Sequence, residues 1–452
     1  MFSFAKHKLK FMAKLIINGE ERYLDGERLS IKKGYITVDG EMVDLDDCIG
    51  ESINIVIEGD VNLLQIEHCD SITVEGNVNT LRNEVGNVEI SGDVNGDVTI
   101  KTGDINCGDV GGDVSTQTGN VDCNDVGGDI TVGQGDVNCS DGNVGGDVSV
   151  GDGNVDCNDV GGDITIKRGD INCGEVGGDV STHKGNVDCG GVEGNLTVGQ
   201  GDVNCSESNV GGDVSVTDGN VNCDDVGGSV TVEHGNVDCG EVGGDVSTQN
   251  GNVDCGGVEG NLTVGDGDVN CGDDSSIGGD VSVGDGNVDC SEVGGSVTVE
   301  HGNVDCGDVG GDVSTQNGNV DCGGVEGDIN VVGGDLKCED GIGGDVSIKD
   351  GDIDCGEVGG DVSVVSTAMW HDDPAVNLPA ESKVEYPEDQ GRISIKSDDE
   401  DPEDPESDGS DSVGSDDEDP ESGSTESGGA GPGTGAPAST SGNDIFAAFK
   451  QL

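Results

Sequence analysis

The chain has 452 residues, with 95 acidic against 19 basic side chains and a formal net charge of −76. Glycine supplies 85 residues and cysteine 18, whereas the aromatics amount to 5 Phe, 3 Tyr and 1 Trp. Ordinary globular enzymes bury far more aromatics, collagen needs Gly at every third position, and direct nucleic-acid binding through phosphates needs Lys/Arg patches, so these three classes are set aside.

Residues 1–13 form a basic N-terminal extension, Met1-Phe2-Ser3-Phe4-Ala5-Lys6-His7-Lys8 onward. It lacks the 7–15 residue apolar core and small-residue cleavage site of a secretory signal. The expectation is a cytoplasmic protein whose thiols stay reduced, with Met12 as an alternative start. No apolar run reaches the roughly 18 residues of a membrane-spanning helix, and no membrane partner is expected.

Residues 14–47 carry varied strand-like segments, among them Lys14-Leu15-Ile16-Ile17, Tyr35-Ile36-Thr37-Val38 and a hairpin-like Asp39-Gly40. They are read as an N-terminal β cap, because the terminal coil of a repeat stack exposes strand edges. Residues 48–106 hold irregular coils, such as Ile53-Asn54-Ile55-Val56-Ile57 and Asp97-Val98-Thr99-Ile100.

From 107 to 365 the chain repeats. Cys107, Cys123, Cys139, Cys157, Cys173 and Cys189 open a series that runs in register to Cys355, mostly in steps of 16 residues. Every fourth step is longer, beginning at Cys139, Cys205, Cys271 and Cys338, so a larger cassette of four coils has been duplicated. Each coil contains two alternating segments, for example Asp113-Val114-Ser115-Thr116 and Asn120-Val121-Asp122-Cys123. Side chains alternate across a strand, which places Val114, Thr116, Val121 and Cys123 inward, with Val110 as a fifth inner residue. Gly111-Gly112 and Thr118-Gly119 are expected to be corners where Gly accepts positive φ. Five small inner residues per coil fill a narrow tube, so the fold class is all-β, a β-solenoid of about 16-residue coils.

The Cys series is expected to be a structural ladder of inward thiols. Zinc sites want several thiolates converging, usually from CxxC pairs, and each Cys here stands alone in its coil. No cofactor or metal is expected. The outward acidic residues, Asp113, Asp122, Asp129, Asp147, Asp163, Asp179, Asp213 and Asp245 among them, define an acidic surface. Between Cys173 and Asp238, twelve carboxylates face Lys184 alone, about one net charge per 1.7 Å of axis, the axial density of duplex DNA. Three readings stand open: a solvated face that keeps a β protein soluble, a DNA mimic that occupies a basic groove, and calcium binding at Asp-rich turns. Neither the RTX nonapeptide nor an EF-hand loop is matched. With no cleft to shift the carboxylates, and with His234 and His301 four coils apart, no enzymatic activity is expected.

Residues 366–396, containing Met369-Trp370, are read as a C-terminal cap. Residues 397–442 form a disordered acidic and Gly/Ser linker, with Ser397-Asp398-Asp399-Glu400-Asp401-Pro402-Glu403 repeated from Ser415. Residues 443–452 form a short amphipathic helix in which Ile445, Phe446, Phe449 and Leu452 are candidate docking residues for a protein groove.

The Gly-Asp-Val repeats, as in Gly145-Gly146-Asp147-Val148-Ser149-Val150, resemble the polymer-forming, bactofilin-like and adhesin-like β-helix proteins of bacteria. The opening Leu15-Ile16-Ile17-Asn18-Gly19, with Ile36-Thr37-Val38-Asp39-Gly40, is similar to uncharacterised tailed-phage proteins with such repeats. The resemblance covers roughly residues 12–365, and the regular Cys and the acidic tail depart from the bactofilin pattern. It implies a structural, non-catalytic role, in the host cytoplasm or a virion if phage-encoded. The expected partners are a protein docked by the C-terminal peptide, basic protein surfaces, or further copies of the chain, without direct contact to nucleic acid.

Overall fold

A period-two pattern interrupted by glycine corners builds the molecule coil by coil. The structure, a computed structural model, describes residues 11–17, 20–26, 28–32, 35–43, 54–206, 208–365 and 394–395. The chain separates into two compact units, Met1–Asp398 and Asp399–Leu452. The second unit lies outside the described residues, as do residues 1–10 and the Met369-Trp370 segment. The acidic linker and the docking residues Ile445, Phe446, Phe449 and Leu452 therefore lie outside them too.

The first unit is an all-β solenoid of about 19 coils. Within one coil, Val114–Thr118 pairs in parallel with Ile130–Gln134 of the next, Val114 opposite Ile130 and Thr116 opposite Val132. Val121 lies opposite Val137 on a second side, and a single bridge joins Val110 to Val126 on a third. Two 22-stranded ladders result. Val110, Val114, Thr116, Val121 and Cys123 are all buried, the five inner residues expected for this coil. At ~4.8 Å per coil, the stack is roughly 90 Å long.

The tube is narrow, so β-branched Val and Ile dominate its core. Such residues are stiff at χ1 and suit a pleated surface. Asn83 in an early coil and Thr116, Thr182, Thr248 and Thr315, one in each four-coil cassette, are the buried polar side chains among the described residues. Thr248 and Thr315 donate to the carbonyls of Gly235 and Gly302 at 3.4 and 3.5 Å. The Thr116 and Thr182 hydroxyls have no protein partner.

Two kinds of glycine turn the chain. Gly119 has φ +143°, and a Cβ there would stand 2.0 Å from the carbonyl oxygen of Gly103 one coil below. Position and conformation both demand glycine. Gly111 and Gly112 are different, and the expectation of positive φ there is corrected: neither adopts it. They are glycine for lack of space, since a Cβ on Gly112 would lie 2.4 Å from Asp97 Oδ1.

The stack begins with antiparallel strands. β1 (Phe11–Ile17) pairs antiparallel with β2 (Glu20–Gly26). β3 (Arg28–Lys32), β4 (Tyr35–Val38) and β5 (Glu41–Val43) follow as an antiparallel meander. Asp39 and Gly40, with φ of 53° and 90°, join β4 to β5, the signature of a two-residue hairpin turn. β1 lies antiparallel against β6 (Asn54–Glu58), and β3 lies parallel against β7 (Val61–Ile66), the first coil's two strands. Leu15, Ile17, Leu29, Ile31 and Ile36 close the end of the core. Lys14 clasps Glu21 and Glu58 at 2.9 and 3.1 Å. At the other end, Ser394–Ile395 pairs in parallel with Asp354 and Cys355.

Candidate functional site

The acidic surface resolves into rows that run along the rod. Seven of the eight candidate residues, Asp113, Asp129, Asp147, Asp163, Asp179, Asp213 and Asp245, occupy one corner, directly after a Gly-Gly pair. Each carboxylate is exposed, yet each accepts a backbone hydrogen bond from the equivalent residue one coil on. The Asp129 N–H donates to Asp113 Oδ1 at 3.0 Å, Asp147 to Asp129 at 2.9 Å, and Asp163 to Asp147 at 2.9 Å. Asp179 donates to Asp163 at 2.8 Å and Asn195 to Asp179 at 2.7 Å. The ladder passes through Ser229, whose hydroxyl accepts from the Asp245 N–H at 3.1 Å, and reaches Asp361.

The local sequence makes this ladder. A corner peptide leaves the β ladder and would waste its N–H on water; a short acceptor side chain one coil below reaches it. Asp, Asn and Ser have that reach. The second glycine of each pair leaves room for it, since a Cβ on Gly128 would lie 2.1 Å from Asp113 Oδ1. A second corner carries another such ladder. There the Asp136 N–H donates to Asn120 Oδ1 and the Asn154 N–H to Asp136 Oδ1, at 2.9 and 2.8 Å.

This arrangement yields a test. Asp163→Ala removes the acceptor from the Asp179 N–H and is expected to cost about 1 kcal/mol. Asp163→Asn keeps an acceptor, removes a charge, and is expected to be neutral or stabilising. Urea denaturation of the two variants reads the difference, and equal losses would deny the ladder any energetic role.

Asp122 belongs to another row, outward on the strand between Val121 and Cys123. Its neighbours in register are Asn106 and Asn138. Asp and Asn alternate onward through Asp156, Asn172, Asp188 and Asn204. The Asn204 amide donates to Asp188 Oδ1 at 3.1 Å, so the amides separate and bind the carboxylates. Further along, like charges stack directly: Asp238 on Asp254, and Asp289 on Asp305 on Asp321. Burial, and then the Asp254 charge, raise the Asp238 carboxyl above its ordinary range. Burial, Asp289 and Asp321 do the same to Asp305. Lys337 ends this run, gripping Asp321 at 2.9 Å and Glu339 at 3.1 Å.

The inner position beside this row is the cysteine ladder. Cys107, Cys123, Cys139, Cys157, Cys173 and Cys189 are buried free thiols, as are the later members described up to Cys355. Cys107 Sγ and Cys123 Sγ lie 3.3 Å apart. Burial pushes the Cys69 and Cys355 thiols up to about 11 and Cys322 up to about 12. Among the described residues no group of three or more His, Cys, Asp or Glu is placed to hold a metal ion. His301 stacks on Asp285, with Nδ1 3.1 Å from Oδ1, and His234 lies opposite Asp218 in the equivalent place.

The fold defines the class: this is a β-solenoid repeat protein. Compared with known proteins, the chain matches no family model, no curated protein and no solved structure. The resemblance to polymer-forming β-helix proteins thus extends to the repeat fold, and no relative supports a bactofilin, adhesin or phage identity.

Proposed function

We propose that the protein is a non-enzymatic acidic rod, a scaffold or binding protein of the cytoplasm that holds a protein partner through Ile445, Phe446, Phe449 and Leu452. The observation that carries this reading is the periodicity of the surface: a stiff coil stack presents an exposed acceptor at fixed spacing for most of its length. Such a stack has one recurring chemistry along its side and no need of a reaction centre. Basic protein surfaces are drawn to it through the counterion cloud its charge collects. The tethered peptide supplies a salt-tolerant contact that the rod's side does not.

A second reading, a mimic of duplex DNA, is favoured by one observation, the direct stacking of like-charged carboxylates from Asp289 to Asp321. A pull-down comparing the full chain with residues 1–442, eluted by a salt gradient, separates the two. Docking predicts partners that are lost on truncation and resist salt. Mimicry predicts partners that survive truncation, leave at moderate salt and are displaced by DNA. Retention of nothing by either form would overturn both readings and turn attention to self-assembly.

A further inference from the structure

The repeats of this chain serve as an internal substitution series, and the cysteine position stands out in it. In the first three coils the equivalent inner residues are Ile57, Val74 and Ile90, aligned by strand register, and all are buried. The same tube therefore accepts a branched aliphatic side chain there. From Cys107 to Cys355 every coil has Cys instead. Copying of the cassette does not by itself account for this, because two other inner positions vary within one cassette, although the positions of Val187, Val203 and Val221 and of Val192, Val210 and Val226 hold Val throughout. Val180, Leu196, Val214 and Val230 occupy one, and Thr182, Val198, Val216 and Val232 another, while Cys189, Cys205 and Cys223 do not change. Because Ile57, Val74 and Ile90 fill the same position in the first coils, packing volume alone does not require a thiol there.

The geometry supplies a chemical reason. Strand register sets Cys139 opposite Cys157, Cys173 opposite Cys189 and Cys205 opposite Cys223. Coils ~4.8 Å apart place the Cα atoms of such pairs inside the 4.4–6.8 Å range of disulfides. At the start of the column the sulfurs of Cys107 and Cys123 are already 3.3 Å apart. These two are 6 % and 4 % exposed, whereas Cys139 and Cys205 are fully covered. Cys107 also has Ile90, not a thiol, below it, so Cys123 is its one partner in the column.

We propose that the column is a site of thiol–disulfide exchange with small-molecule disulfides, and that Cys107 and Cys123 form its first inter-coil bond. A thiolate from one of the pair attacks a sulfur of the small disulfide, forms a mixed disulfide and expels one small thiolate. The second cysteine attacks the protein-bound sulfur and expels the other. Two protein thiols become one disulfide, one small disulfide becomes two small thiols, and the two protons pass to the leaving thiolates. The product is uncharged, which suits an interior beneath so anionic a surface better than a thiolate does. The hydrogen bond with Cys107, and then burial, hold the Cys123 thiol above its ordinary range; exchange is slow at neutral pH and quickens in alkali. Pairing from this end leaves no thiol of the column unmatched.

The test uses the reduced full chain in its folded state, with oxidised glutathione as the probe at mildly alkaline pH. After free thiols are capped, cleavage at acidic residues separates Cys107 from Cys123, and non-reducing mass mapping reads the products. The expected result is a 107–123 linked fragment pair, lighter by two hydrogens and lost on reduction. Cys123→Val, which substitutes a residue type the first coils hold at this position, is expected to keep the fold and abolish the link. Three results would each overturn the proposal: glutathione retained on these cysteines, links formed between two chains, or a link that forms only after unfolding in urea.

Discussion

Gly219→Ala is expected to destabilise the rod by on the order of 3 kcal/mol, measured as a lowered midpoint of urea unfolding. Gly219 has φ +155°, and an added Cβ would stand 1.9 Å from the Gly201 carbonyl oxygen. The methyl group meets backbone rather than a side chain that could swing aside, so the coils themselves must separate. Gly40→Ala is the matched control. Gly40 also has positive φ, +90°, but nothing lies within 4 Å of its would-be Cβ, and conformational strain alone predicts about 1 kcal/mol. Because each coil contacts its neighbours only, the damage at Gly219 should stay local. Hydrogen exchange should speed up in the coils around Val214–Asp218 and leave the N-terminal cap unchanged. Equal midpoints for the two variants would refute the stacked-corner account.

The second large effect is electrostatic. Stability is expected to rise with salt and with mild acidification. Two carboxylates ~4.8 Å apart repel by about 0.9 kcal/mol in water. Shortening the Debye length from about 8 Å at physiological salt to about 3 Å at 1 M relieves roughly 0.3 kcal/mol per stacked pair. Asp238–Asp254, Asp289–Asp305 and Asp305–Asp321 are three such pairs in one row. The sign with pH follows from linkage. The folded-state values of Asp238 and Asp305 are raised, so the folded state holds protons that the unfolded chain has released, and ionisation penalises folding. That penalty is full at neutral pH. It is relieved as pH falls through the raised values toward the ordinary Asp range near 3.9. Urea midpoints across this window should therefore climb as pH falls toward it, and Asp305→Asn should flatten the climb. A midpoint that drops steadily from neutrality downward would contradict this account.

The solenoid was legible because its two causes are both one-dimensional. Alternation in Val114-Ser115-Thr116 states which face is inside, and the recurrence of Gly119 states where the chain turns. The corner ladders are written in the sequence less openly, in the choice of residue at a single position. One outward position holds Asp179, Asn195, Asp213, Ser229, Asp245 and Asn261 in successive coils. A need for charge would have excluded Asn and Ser. A need for a short acceptor admits all three, which is the pattern found. Gly111-Gly112 departs from the expected positive φ because glycine has two uses, freedom of φ and absence of a side chain. Sequence alone does not distinguish them until the Asp97 carboxylate is placed beside Gly112.

The duplicated cassette has a consequence for inheritance. Among the described residues the N-terminal cap pairs with the first coil's strands, so unequal recombination between cassettes can delete or add one without altering that pairing. Each event changes the rod by four coils, about 19 Å at the spacing of stacked strands, and preserves the phase of the buried Thr116, Thr182, Thr248 and Thr315. Length in such a lineage is a digital trait. It is reset in whole steps by copy number, while point mutations tune only what the surface carries.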